Sequence, residues 1–346
     1  MITGMERLQA AIKGEKSDRI PIFCTLLEQG AKEMGMSLDT YYSRGEYVAE
    51  AQLKLREKYG YDNLWSLFYV GREAELLGCE KILFAKDGPP NVAHFVIQDW
   101  KDIPKLQIPD DLNSHPLFEE QSKCLKLLRK EAGGKYPICA YLSSPMTLPA
   151  LLMGMEKWFE LLFLGPLELR NELLEYCHTF FVKEVETYRK LGVDLFLYSN
   201  PFGSLDMVPL KFFKEHALPW IEKDLEAAGK AGIIYYCGMS RLNRVLEMVI
   251  EKTGCESYYL SPLDDLAEGK RLIAQRGLTC GVINDMKLKE WSATEIRNEV
   301  QRLIQIGMPG GKFLFGTGLI PMDTPEEKIR LLLETAYEFG RYQEAP

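Results

Sequence analysis

The chain contains no CxxC pair. Its eight cysteines, Cys24, Cys79, Cys124, Cys139, Cys177, Cys237, Cys255 and Cys280, stand singly along 346 residues. That scatter argues against a disulfide framework and a structural zinc ribbon, and reads as small apolar core residues. Histidine is scarce, with four in all: His94, His115, His178 and His216. No run approaches the roughly 18 to 20 uninterrupted apolar residues of a membrane helix. Positive charge is not in excess, since 42 Lys and Arg face 50 Asp and Glu for a net charge of -8. An acidic surface repels phosphate backbones and offers no counterion release, so nucleic acid is not expected as the main partner. The opening MITGMERLQAAIKGEKSDRIP is charged and amphipathic and lacks the apolar core of a signal peptide, so a cytoplasmic protein is expected.

What is present is a repeating unit, set in a composition of 46% hydrophobic and 27% charged residues that belongs to folded chains rather than disordered ones. Short β-branched or aromatic runs recur: IPIFCT (20–25), YDNLWSLF (61–68), YPICAYLS (136–143), VDLFLYSN (193–200), IIYYCG (233–238), ESYYLSP (256–262), LTCGVIND (278–285) and KFLFGTG (312–318). Each precedes a helical pattern, as in Ile296, Val300, Leu303 and Ile304 on one face. The runs are nearly continuous in apolar residues, as strands of a helix-covered parallel sheet should be. Gly60, Gly192, Gly232, Gly254, Gly277 and Gly307 fall where the helices should stop, a position that favours left-handed backbone. Eight strand–helix units predict a single α/β domain over 1–346, a (β/α)8 TIM barrel. A doubly wound open sheet is the competing fold, but no GxGxxG follows the first strand. The segment 79–111, with two strand-like runs around DGPP, predicts a hairpin inserted after strand two, and helix 4–14 a cap on the barrel's lower end.

Barrel chemistry sits at the C-terminal ends of the strands. That rule selects Glu28 and Gln29 after strand one, Ser66 and Tyr69 at strand two, and Ser143, Ser144 and Met146 after strand three. It adds Ser199 and Asn200, Tyr235 and Cys237, Tyr259 and Ser261, then Asn284, Asp285 and Thr317. None of the four histidines falls at the mouth, so neither a histidine base nor a three-histidine zinc site is expected. Several of these residues have plain structural readings. Cys237 suits a small apolar core position, Asp285 a helix or turn cap, and Asn200-Pro201 and Ser261-Pro262 turns. Tyr235 and Tyr236 alternate faces of one strand, so one enters the barrel and the other meets the helices. Glu28 is the hardest to place structurally, because a carboxylate there must be paired or solvated.

Specific strings carry a family resemblance. ERLQAAIKGEKSDRIPIF, SSPMTLPALLMGMEKW, GVDLFLYSNPFGS, PWIEKDLEAAGKAG, IIYYCGMSRL, CGVIND and GTGLIPMDTPEEKIR, in that order, resemble the uroporphyrinogen decarboxylase (URO-D) superfamily across about 4–340. Met146 stands where an aromatic residue usually does. The resemblance implies a barrel and two chemistries: decarboxylation of uroporphyrinogen, and methyl transfer involving a corrinoid. Decarboxylases of the family carry Arg-Gln-Ala-Gly-Arg after strand one. This chain has Leu27-Glu28-Gln29-Gly30-Ala31-Lys32, the wrong sign for a substrate with eight carboxylates. The family's substrate-contacting aspartate falls on Tyr69 here. The thiol-methylating branch implies zinc held by His-x-Cys and a later Cys. Here Cys237 matches one ligand, Tyr235 stands in the histidine position, and Gly318 lies near the third.

The resulting expectation is a corrinoid-linked methyltransferase. Cobalamin on a separate carrier protein docks over the mouth and exchanges a methyl group with a small donor or acceptor. Tyr69, Ser144, Met146, Asn200, Tyr235, Asn284 and Thr317 contact the substrate, Glu28 or Asp285 moves a proton, and Cys237 acts in catalysis or holds zinc. The alternatives are a uroporphyrinogen decarboxylase and a non-catalytic tetrapyrrole or corrinoid binder. A homodimer through the mouth, as in decarboxylase relatives, competes with carrier docking for the same face.

Overall fold

The computed structural model describes residues 2–86 and 88–342. Seven parallel strands form one sheet in sequence order: Leu64–Trp65, Ile138–Ser143, Leu195–Ser199, Ile233–Tyr236, Ser257–Tyr259, Leu278–Ile283 and Phe313–Thr317. The register carries Ser143 beside Ser199, Ser199 beside Tyr236, and Tyr236 beside Tyr259. The expected first strand occupies the remaining gap. Its Phe23 amide donates to the Phe315 carbonyl at 2.9 Å, and on its other edge the Asp62 amide donates to the Ile22 carbonyl at 2.8 Å. Only isolated bridges form here, because side chains replace part of the ladder: Asp62 Oδ2 accepts the Ile22 amide at 2.8 Å and Asn63 Oδ1 the Cys24 amide at 2.9 Å. The eight positions close into the (β/α)8 barrel the repeat predicts.

Alternation along the strands separates two cores. Phe23, Trp65, Cys139, Leu197, Cys280 and Leu314 turn into the barrel, while Ile22, Leu64, Tyr198 and Phe313 meet the helix layer. Burial of both faces explains why the runs lack polar alternation. The helix Gly4–Lys13 starts on a Thr3–Glu6 capping box and sends Leu8 and Ala11 into the inner core from below. Beneath the sheet, Asp62 is fully buried and meets Arg7 at 3.0 Å and the Arg19 guanidinium at 2.5 and 2.9 Å, tying this helix to strands one and two. The insertion is a small hairpin, Ile82–Leu83 against Asn91–Val92, so most of 79–111 is loop and 3-10 turn, and position 87 at its tip lies outside the described residues.

The six helix-end glycines divide by physical cause. Gly60, Gly192 and Gly254 have positive φ, as a left-handed stop requires; Gly232 shares it, but in the turn before the strand Ile233–Tyr236, the helix having ended at Ala228. Gly277 and Gly307 do not. A Cβ at Gly307 would stand 2.1 Å from the Phe313 ring and one at Gly277 2.5 Å from the Glu256 carbonyl, so these two are selected by close approach.

Candidate active site

The strand ends enclose a cavity of about 230 Å³ at the C-terminal mouth. Thr25, Leu27, Trp65, Phe68 and Val70 build one side of it, and Tyr141, Ser143, Thr147 and Leu151 the next. Leu197, Pro201, Phe202, Tyr236 and Tyr259 form the far wall, and Thr317, Gly318 and Leu319 complete the ring. The tyrosines enter because Tyr141, Tyr236 and Tyr259 share the inward parity of their strands. The phenol of Tyr259 donates to the Thr317 carbonyl at 2.6 Å, and that of Tyr141 is hydrogen-bonded to Ser199 Oγ. Phe68 stacks on Tyr141 with centroids 4.3 Å apart, and Tyr236 meets Tyr259 edge-on at 5.6 Å. Thr317 Oγ1 accepts the Thr25 amide at 2.9 Å, fastening strand one to strand eight at the rim.

Of the residues expected at the site from the strand-end rule, Ser143, Tyr259 and Thr317 line this cavity, and Asp285 stands directly behind its wall. The Asp285 carboxyl packs against Gly318: a Cβ there would lie 2.9 and 3.0 Å from its two oxygens. Asp285 is 2% exposed, and its Oδ1 has no hydrogen-bond partner among the described residues. Loss of solvent pushes its pKa up to about 7. Its charge is felt by Tyr236 and Tyr259, both cavity residues. Burial, a free oxygen and a raised pKa beside a cleft make Asp285 a candidate for handling a proton.

The other expected residues lie elsewhere. Ser144, Asn200 and Tyr235 form a buried chain, Ser144 Oγ donating to Asn200 Oδ1 at 2.8 Å and Asn200 Nδ2 to the Tyr235 hydroxyl at 3.0 Å. This chain sits behind the strands. Parity turns Tyr235 outward against Tyr198 and Tyr258, so Tyr236 is the member of the pair that reaches the cavity. Met146 is fully buried and accepts the Trp158 indole N–H on its carbonyl at 3.0 Å. Tyr69 packs beneath the hairpin, its hydroxyl accepting from Arg72 at 3.0 Å and contacting Glu75. Asn284 accepts the Lys287 amide as the cap of a short turn. Glu28 is 2% exposed outside the cavity, next to Tyr42, with an unpartnered Oε1 and a pKa raised to about 7 by burial.

The side chains present do not fit zinc. Burial pushes the Cys237 thiol up to about 12, away from the thiolate that binds metal. Gly318 supplies no donor, and no three His, Cys, Asp or Glu residues converge on a metal-sized space among the described residues.

Reasoning from strand ends missed Trp65, Phe68, Tyr141, Phe202 and Tyr236, because it favoured polar termini over inward parity. The period-two rule held the signal for the tyrosines. It also missed a buried acid pair, Glu73 and Glu184, 3% and 1% exposed. Glu73 Oε1 accepts the Ser143 amide at 2.7 Å just beneath the cavity floor. Desolvation raises its pKa to about 7, and that of Glu184 well above the carboxylate range, so the pair retains a proton. No local pattern marks Glu184, which lies on the long amphipathic helix Leu167–Lys190.

A closed parallel barrel with an aromatic mouth cavity and an unpaired acid at its wall has the construction of a barrel enzyme. Its sequence matches the uroporphyrinogen decarboxylase (URO-D) family over residues 3–339, and the chain belongs to that family. The methylcobamide:CoM methyltransferase MtbA of Methanosarcina acetivorans is 23% identical over 97% of this chain and 98% of its own. A uroporphyrinogen decarboxylase of Geobacter sulfurreducens is 21% identical over 70% of this chain and 72% of its own. Among solved structures, a methyltransferase from Methanosarcina mazei superposes with a TM-score of 0.84 at 20% identity, covering 98% of this chain and 99% of that one. No helix among the described residues is long and apolar enough to cross a membrane.

Proposed function

We propose that the chain is a corrinoid-linked methyltransferase that passes a methyl group between a corrinoid on a partner protein and a small molecule in the mouth cavity. The observation that carries this reading is the cavity itself: small, walled by aromatic and aliphatic side chains, and without Lys or Arg in its lining. A substrate with eight carboxylates finds no counter-charge there, which disfavours uroporphyrinogen decarboxylation. The full-length similarity to a methylcobamide:CoM methyltransferase points the same way.

The corrinoid, as a co-substrate, supplies the cobalt that gives or takes the methyl group. The chain's own residues hold the small molecule between the Phe68–Tyr141 stack and the Tyr236–Tyr259 pair, keep water from it, and set the protonation of Asp285. Thr317, fixed to strand one through Thr25, shapes the rim beside Gly318. The Ser144–Asn200–Tyr235 chain acts through position, locking the ends of strands three, four and five. No step is assigned to zinc.

The test is the loss of methyl–cobalt absorbance from methylcobalamin on mixing with the protein and candidate acceptors, and its gain from reduced cobalamin with candidate donors. Exchange should be catalytic and should fall in Tyr236→Leu. Consumption of uroporphyrinogen without methyl exchange would replace this reading with the decarboxylase.

A further inference from the structure

Six aromatic side chains, Trp65, Phe68, Tyr141, Phe202, Tyr236 and Tyr259, converge on the mouth cavity. Elsewhere the protein covers many aromatic faces with its own cations: Arg56 over Tyr136 at 3.8 Å, Arg19 over Tyr337 at 4.7 Å, Lys223 over Trp220 at 4.7 Å. Among the described residues no Lys or Arg stands over any of the six cavity rings. Phe68 and Tyr141 cover one face of each other and Tyr236 meets Tyr259 edge-on, but no cation of the chain offsets the negative π faces turned to the cavity. Behind the wall, the buried Asp285 carboxyl has a free oxygen and no cationic partner among the described residues. Once ionised, above about pH 7, this acid next to rings that no cation covers produces a negative potential in a space largely shielded from water. The directional polar groups are mostly used internally, since Thr25, Tyr141, Tyr259 and Thr317 all bond within the protein. Selection therefore falls to shape and to the ring faces.

We propose that the cavity recognises a quaternary methylammonium head group. Such a cation has no N–H to donate, so it needs π faces and a distant negative charge rather than hydrogen-bond acceptors. A cavity of about 230 Å³ is below the roughly 300 Å³ at which drug-sized pockets begin, and suits a head group with a short neutral arm. An anionic arm is disfavoured by the lack of cations. The role of this ligand as methyl donor rests on the methyltransferase reading. In that role the C–N bond breaks and its electron pair stays on nitrogen, releasing a neutral tertiary amine. The new bond to the methyl carbon takes its pair from the Co(I) of the partner's reduced corrinoid, which becomes methyl-Co(III), and no proton is required.

Calorimetric titration of the purified full chain with tetramethylammonium, choline and 3,3-dimethylbutan-1-ol separates charge from shape, because the last is the neutral carbon isostere of choline. Choline should bind at least about tenfold more tightly than its isostere, and Tyr236→Leu should erase most of that preference. The wild-type comparison stands without any variant, should Tyr236→Leu fail to fold. Equal affinity for choline and the isostere, or no binding of any of the three, overturns the proposal. Choline binding without methyl exchange supports this site and sinks the methyltransferase reading. Methyl exchange with a neutral donor and no preference for the cation does the reverse.

Discussion

Asp285 shows how one side chain couples stability to function. Its pKa rises from the ordinary 3.8 to about 7, so the folded chain holds a proton that the unfolded chain has already released between those values. That preference stabilises fully below about pH 4 and is lost as pH rises through about 7, at roughly 1.4 kcal/mol per unit. Asp285→Asn should therefore be more stable than the parent by about 1–3 kcal/mol at pH 8, with the difference shrinking towards pH 5. Thermal melts at the two pH values check this, and a constant difference would place the carboxylate in a solvated setting. At pH 8, where the parent's carboxyl is ionised, the same variant should weaken choline binding by removing the negative charge. Cys237 makes the contrasting case. Buried and protonated, it acts as a small apolar residue, so Cys237→Ala should cost about 1 kcal/mol and leave metal content unchanged. Elemental analysis finding zinc in the parent but not in the variant would reverse that assignment.

At the scale of elements, the barrel depends on how closely helices approach strands. The helix Ala293–Gly307 comes down on the strand Phe313–Thr317 through Gly307, whose Cβ position is occupied by the Phe313 ring. Gly307→Ala should destabilise by about 1–3 kcal/mol through overpacking, measured by denaturant unfolding, whereas a glycine kept only for its backbone would tolerate alanine at φ < 0. In the sequence this glycine looked like the left-handed helix stops at Gly60 and Gly254; only the packing separates the two kinds. The long helix Leu167–Lys190 presents Glu184 to Glu73 beneath strand three. Glu184→Leu should cost about 1–3 kcal/mol by removing the acid beside Glu73 Oε2, which has no other partner among the described residues, and Glu184→Gln much less because the amide can still donate. Equal losses in the two variants would show that the helix packs there by volume alone.

At the scale of the molecule, closure is the decisive event. Strand one joins its neighbours through a few backbone bonds and the side chains of Asp62 and Asn63. Asp62 also receives Arg7 and Arg19, so one carboxylate gathers the cap helix and the first two strands. Asp62→Ala leaves the buried Arg19 guanidinium without its carboxylate and Arg7 with Asp18 alone, and should cost about 3–5 kcal/mol. Faster amide exchange at Ile22 and Cys24 than in Leu278–Ile283 should accompany it. The acid cannot be replaced cheaply, because the attraction is made where water is largely absent.

The architecture was legible in the chain because its signals are local. A strand–helix rhythm, apolar runs and capping residues report backbone preferences within a dozen residues, and eight such units leave a barrel as the simplest closure. Family membership was equally legible, carried by ordered strings from ERLQAAIKG to GTGLIPMDTPEEKIR. The site was legible only in part. Strand ends pointed to the mouth and to Asp285 and Thr317, but which of Tyr235 and Tyr236 faces inward depends on the parity that closure selects. The proton affinities of Asp285, Glu28 and Glu73 depend on segments distant in sequence removing water from each carboxyl, and the cation-free aromatic wall of the cavity likewise depends on distant segments meeting. Periodicity reports how a segment folds on itself; desolvation and charge compensation arise when remote segments meet, and those the tertiary structure alone decides.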